Sequence, residues 1–187
     1  MKVNNYLLGL FVLSVLNLFG CKKNIATLEN TDMGNLIRNS SFEENGQPSL
    51  KFWNVQDTSK INFSKDVPPG GGHWSVYLHS EWYGPLPETP SCFIPLSSGT
   101  HILKFSIYGK SKTFFGSALL ILKKGNVRKI VDQNSITDSI WTKYSIVDTL
   151  NISEGDSLFV LLYGGGTEIV DGITYFDLAE LEPIDGD

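Results

Sequence analysis

The feature that most restricts how this chain can fold is a series of short apolar-polar alternations, each closed by a turn signal. Ile102 to Tyr108 is the clearest: Leu103, Phe105 and Ile107 fall on one side and Ile102, Lys104, Ser106 and Tyr108 on the other, the period of a half-buried strand. Comparable segments run over Ser75 to Leu78, Ala118 to Leu122, Val127 to Val131, Trp141 to Val147, Leu158 to Tyr163 and Thr174 to Leu181. Between them lie Pro68-Pro69-Gly70, Ser98-Gly99, Lys124-Gly125-Asn126, Glu154-Gly155-Asp156 and Gly164-Gly165-Gly166, combinations that bend a chain sharply. No stretch carries a sustained helical stripe with caps. A set of short strands of this kind buries its apolar faces by stacking two antiparallel sheets, so the expected fold is an all-β sandwich or jelly roll.

The first twenty residues stand apart from that pattern. Lys2 supplies one positive charge, and Tyr6 to Leu18 form an apolar run too short to span a bilayer, which needs roughly 20 residues. The run ends in Leu18-Phe19-Gly20-Cys21, which resembles the lipobox of bacterial lipoproteins, where a small residue precedes a cysteine that is acylated and becomes the new N-terminus. The resemblance implies a signal peptide over 1–20, lipidation of Cys21 and a polar tether over 21–34, leaving 35–187 as the β-sandwich domain. Lys22 is not the aspartate associated with inner-membrane retention, so the expected location is the bacterial cell envelope, lipid-anchored at the outer membrane. With Cys21 acylated, Cys92 has no cysteine left to pair with and reads as a small buried hydrophobe.

The formal charge of −5 argues against a nucleic-acid partner, whose binding is driven by basic patches that displace counterions. Catalytic motifs are equally scarce. Gly155-Asp156-Ser157-Leu158 spells the signature of a hydrolase family, but no histidine follows it to act as base, so it reads as a turn entering a strand. His73, His79 and His101 do not form a metal-ligand motif with closely spaced cysteines or carboxylates.

Four fragments, in order, resemble the jelly-roll carbohydrate-binding modules of the galactose-binding-like class, such as families four and nine. Asn35-Leu36-Ile37-Arg38-Asn39-Ser40-Ser41-Phe42-Glu43 is similar to the opening "NLIxNGSFE", with Trp53 following. Gly99-Thr100 with Leu103 to Ser111 resembles a "GTxYxLSFYAKS" strand, Ile140 to Ser145 resembles "xWTKYS", and Tyr175 to Leu181 resembles the closing "YFDDVSL". Ser40, Gly109 and Leu178 depart from the usual glycine, alanine and second aspartate. The resemblance implies a protein that binds carbohydrate without chemistry of its own. It assigns packing roles to Trp53 and Trp141, and a structural calcium ion held by Glu43 and Asp177. Strand parity places Asp177 on one face with Tyr175, Ala179 and Leu181, where a carboxylate needs a cation or hydrogen bonds.

Ligand contact is expected where aromatics crowd most densely, in Gly70 to Pro85, because flat sugar faces stack on rings. Trp82 and Tyr83, next to Gly84-Pro85, are the leading candidates, with Trp74 behind them; the alternative packs Trp74 and Tyr77 inside. A second option is an open sheet face carrying Tyr108 and, less directly, Tyr163. The alternative function is a structural or adhesive surface lipoprotein that contacts a protein partner. A hydrolase on the same sandwich would require two carboxylates facing one cleft.

Overall fold

A computed structural model describes residues 34–55, 57–80, 91–166 and 172–184. The strands in chain order are β1 (Glu43–Glu44), β2 (Gln47–Pro48), β3 (Trp53–Asn54), β4 (Ile61–Ser64), β5 (Ser75–Ser80), β6 (Ser91–Ile94), β7 (Gly99–Thr113), β8 (Gly116–Lys124), β9 (Val127–Ile136), β10 (Thr142–Ile152), β11 (Ser157–Tyr163) and β12 (Gly172–Pro183). A single 3-10 turn, Thr58–Lys60, interrupts them among the described residues. β1 and β2 form a small hairpin; the others build two five-stranded sheets, β10-β7-β12-β5-β4 (sheet I) and β3-β6-β11-β8-β9 (sheet II), with every pairing antiparallel. The fold is the expected β-sandwich of jelly-roll type.

The seven strands expected from alternation are all present, most of them longer than expected. The predicted inner set of β7 holds: Leu103, Phe105 and Ile107 are fully buried and meet Leu120, Leu158 and Leu162 of sheet II in one apolar cluster. Turn chemistry follows the sequence as well. Gly125 and Gly155 take the left-handed conformation at the β8–β9 and β10–β11 turns. At the second, the Asp156 carboxylate accepts from the Ser153 amide at 3.0 Å and pairs with Lys124, so the hydrolase-like motif is a turn. Cys92 is 2% exposed, and burial pushes its thiol pKa up, as suits an inert core position.

Gly109, where the resembling modules carry alanine, has a packing reason. A Cβ there would stand 2.7 Å from Cγ2 of Ile136, a side chain of the opposite sheet that is itself fully buried. Ile136 occupies the space an alanine methyl would need. Gly109→Ala should therefore cost about 1–3 kcal/mol of stability, the usual penalty of overpacking, read as a lower denaturant midpoint at unchanged slope.

The opening and closing fragments, 144 residues apart at their nearest side-chain bond, lie side by side. The Asn35 side chain donates to the Ala179 carbonyl at 2.8 Å and accepts from the Leu181 and Ile37 amides at 2.9 Å each. Backbone bonds from Leu36 to Leu181 and from Ala179 to Ser40 complete the seam. One amide side chain thus satisfies three backbone groups and pins the start of the domain to β12. Asn39 ties the next turn by donating to the carbonyls of Ser49 and Lys51, while its own carbonyl accepts the Trp53 indole N–H at 3.0 Å.

Candidate functional site

The outer face of sheet I carries a line of aromatic and charged side chains set by register. Asn62 of β4 pairs with Tyr77 of β5, Tyr77 with Tyr175 of β12, and Tyr175 with Lys110 of β7. Trp141, one residue before β10, extends the line. The side chains make physical contact: the Tyr77 and Tyr175 rings are 5.1 Å apart, Trp141 meets Tyr175 edge-on at 6.3 Å, and His79 lies 5.3 Å from Tyr77. Each of the four is partly exposed, while Val76, Leu78 and Phe176 between them point into the core. The alternation that buries the aliphatic residues is what presents the rings.

Charged groups fix the platform in place. Lys110 lies over both Tyr175 and Trp141, 4.8 and 5.2 Å from the ring centroids, and pairs with Asp66. The second oxygen of Asp66 accepts the Trp141 indole N–H at 2.8 Å. The bond from Lys110 holds the Asp66 carboxyl below its ordinary pKa, with the Trp141 bond adding to the effect, and partial burial pushes the Tyr175 hydroxyl up. Further along the same face, Tyr108 faces Lys143 across β7 and β10, 5.9 Å from its ammonium. Glu180 accepts from Lys143 at 2.7 Å and from the Ser106 hydroxyl at 3.0 Å. Aromatic rings beside hydroxyls, an ammonium and a carboxylate supply stacking surface together with donors and acceptors, the mixture a flat polyhydroxylated ligand needs.

The expected site residues fall into separate places. Tyr108 is on this face, as its parity implies. Trp141, assigned a packing role, is also here, half-buried at the platform's edge. Tyr77 and Tyr175 are corrections. Tyr77 points outward rather than packing inside, and Tyr175 does not share a face with Ala179 and Leu181. A register shift between Asp177 and Glu180, with Leu178 at φ 48°, adds a residue to β12 and inverts the parity on either side of it. Trp74 sits ahead of β5, its indole N–H donating to the Gly46 carbonyl at 3.3 Å and its ring under Lys65 at 3.8 Å. Tyr163 is 7% exposed within a second apolar cluster with Leu119, Ile121 and Leu161, so it is not an open-face residue. Trp53 is core, 5% exposed and 4.8 Å from Phe42. Cys21, Trp82 and Tyr83 lie outside the described residues.

The bulge also creates the other notable site. Asp177 is fully buried, with one oxygen accepting from the Leu178 amide at 2.8 Å and the other without a hydrogen-bond partner. Burial, reinforced by the negative charge of Glu43, pushes its pKa up to about 7. One oxygen of Glu43 accepts from the backbone amides of His73 and Trp74. Gly71 and Gly72 run directly over the two carboxyls: a Cβ on Gly71 would stand 2.7 Å from the orphaned Asp177 oxygen, and one on Gly72 would collide with Glu43. The chain ends and the glycine loop thus enclose two neighbouring acids. No third His, Cys, Asp or Glu joins a metal cluster among the described residues, so carbonyl oxygens would have to supply the remaining ligands of any cation.

No protein-family model matches the sequence, and a search of curated proteins finds no match. Solved structures do match in fold. A family 61 carbohydrate-binding module in complex with β-1,4-galactotriose has a TM-score of 0.52 at 18% identity, over 80% of this chain and 99% of that one. A family 4 module gives 0.54 at 13%, covering 79% and 99%, and a family 22 xylan-binding domain from Paenibacillus barcinonensis gives 0.52 at 15%, covering 79% and 94%. These structural neighbours are carbohydrate-binding modules, and they share with this chain the jelly-roll sandwich.

Proposed function

We propose that this protein binds glycan without catalysis, through the outer face of sheet I, and is held at the bacterial envelope by a lipid on Cys21. The observation that carries the glycan reading is the contiguous platform of Tyr77, Tyr175 and Trp141, wired to Lys110 and Asp66. A domain that only needed to fold would gain little from keeping three touching aromatics half in water. The fold shared with carbohydrate-binding modules supports the same reading. A glycan array should return hits for the wild-type protein. Tyr175→Ala and Trp141→Ala should then weaken the bound glycan by about 2 kcal/mol or more, some thirtyfold, with the melting temperature nearly unchanged. Unaltered affinity in both variants would move the site elsewhere.

The anchor is tested separately. Cys21→Ser should abolish labelled palmitate uptake and release the domain from the membrane fraction. A variant that remains with membranes, beside a wild type that takes up no label, refutes the anchor.

Calcium fits the second site on the side of charge. An oxygen of Asp177, buried and unpaired, next to a second carboxylate is costly by itself and well suited to a hard cation. Glu43 and Asp177 would hold the ion, and its role would be to close the seam between the first and last segments of the domain rather than to touch ligand.

A further inference from the structure

Asp66 is gripped from both sides before its side chain reaches the platform. It follows β4, and its amide donates to the Ser64 hydroxyl at 3.0 Å while its carbonyl accepts from the Ser75 hydroxyl at 2.6 Å. Ser64 and Ser75 are cross-strand partners, the last residue of β4 opposite the first of β5, so one pair of serines holds both backbone polar groups of a single residue. Ser75 is held in turn: it is fully buried, and the amides of His73 and Trp74 just before it donate to Glu43. A hydroxyl in that position is costly without a partner, and the Asp66 carbonyl satisfies it.

What the serine clamp aims is the carboxylate. β4 and β10 are the opposite edges of sheet I, and Asp66, just beyond one, bonds Trp141, just ahead of the other. The first ladder pair of β10 joins Thr142 to Gly109, so strand pairing stops short of Trp141 and its indole relies on a side-chain anchor. Asp66 supplies it: one oxygen accepts the indole N–H, and the other pairs with Lys110, whose ammonium lies over the rings of Trp141 and Tyr175. We infer that Ser64 and Ser75 are positioning residues of the glycan site, acting through Asp66 to hold Trp141 and Lys110 in their bound geometry before ligand arrives. Ordering a side chain in advance removes an entropy cost from binding, a factor of roughly two to ten in affinity for each long side chain fixed. Ser75, fully buried, has no surface to offer a sugar, so its influence passes through Asp66.

The inference rests on the sheet I reading of the glycan site, and its test separates the two. In the isotope-labelled full-length protein, the Trp141 indole N–H resonance is identified by its absence from Trp141→Phe. Without any ligand, Ser75→Ala and Asp66→Ala should each move that resonance toward the position of a free indole. Asp66→Asn, which keeps an acceptor oxygen, should hold it, and an unmoved Trp53 resonance marks an intact core. Affinity is then measured by calorimetry with cellohexaose, xylohexaose and mannohexaose. Ser75→Ala should weaken whichever binds by at least about threefold, yet leave the affinity of Trp141→Ala nearly unchanged, because the two substitutions remove the same contribution. Should Ser75→Ala fail to fold, Ser64→Ala at the end of an edge strand carries the same test. A Trp141 resonance that ignores both serine variants, or an equal loss of affinity with and without Trp141, overturns the clamp. If none of the three sugars binds, the indole resonance alone decides it. Binding that Trp141→Ala and Tyr175→Ala leave unaltered moves the glycan site off sheet I and overturns the positioning role, even where the resonance shifts as expected.

Discussion

Thermal unfolding in millimolar calcium should exceed that in excess chelator by roughly 5–10 °C at pH 8, and by much less at pH 5. The magnitude follows from mass action: an ion bound only by the native state at a hundredfold excess over its dissociation constant adds about 2.7 kcal/mol, and a domain of this size gains about 2–4 °C per kcal/mol. The pH dependence follows from Asp177. Its folded pKa of about 7 is raised above the ordinary 3.8, so in chelator the folded state holds the proton more tightly than the unfolded chain. That contribution is fully present below about pH 4 and is lost as pH rises through 7, so the metal-free protein should weaken across this window. A cation requires the ionised carboxylate, so calcium should compete with protons at low pH and restore at high pH what deprotonation removes. Asp177→Asn keeps the shape and removes the charge; it should abolish both the calcium response and the slope in chelator. A melting temperature indifferent to calcium and chelator at both pH values would leave Asp177 as a protonated core acid, with the pH slope alone surviving.

The sheet framework was legible because β5 and β7 to β12 are long enough for period-two patterning to emerge and are bounded by glycine turns. β3, β4 and β6 were not, since two to four residues such as Ile61-Asn62-Phe63-Ser64 cannot display a period above the noise of composition. The pairing of Glu43 with Asp177 was foreseeable only by resemblance, because nothing local ties residues so far apart. The aromatic platform escaped for a sharper reason. Parity counted through β12 assigns Tyr175 to the face of Ala179, and the bulge at Asp177 and Leu178 breaks that count. Asp66 lies beyond the end of β4, where alternation says nothing about direction, and Trp141, expected within a strand and assigned to packing by resemblance, stands one residue ahead of β10. The signal that was available is the strict alternation of Val76, Tyr77, Leu78 and His79, which puts an aromatic pair outside as soon as the aliphatic pair is placed within.

The two tryptophans that resemblance treated alike should separate completely on truncation. Trp53 is 5% exposed, packs against the fully buried Phe42 and donates its indole N–H to the Asn39 carbonyl. Asn39 in turn bonds the carbonyls of Ser49 and Lys51, so the ring also props the turn leading from the opening segment into sheet II. Trp53→Ala removes a large buried ring, leaves a cavity and strips a partner from a part-buried carbonyl. Its expected cost is about 3–5 kcal/mol, a large part of the stability of an ordinary domain, and the protein should be soluble only at low temperature. Trp53→Phe keeps most of the volume and loses the hydrogen bond, so it should recover all but about 1–2 kcal/mol. Trp141→Ala, by contrast, gives up an edge contact with Tyr175, the Lys110 ammonium over its ring and one bond to an exposed carboxylate, and denaturant titration should place it within about 1 kcal/mol of wild type. A reversed order of stabilities would mean that Trp141 holds the sandwich together, and the platform on sheet I would lose its claim to be built for a ligand.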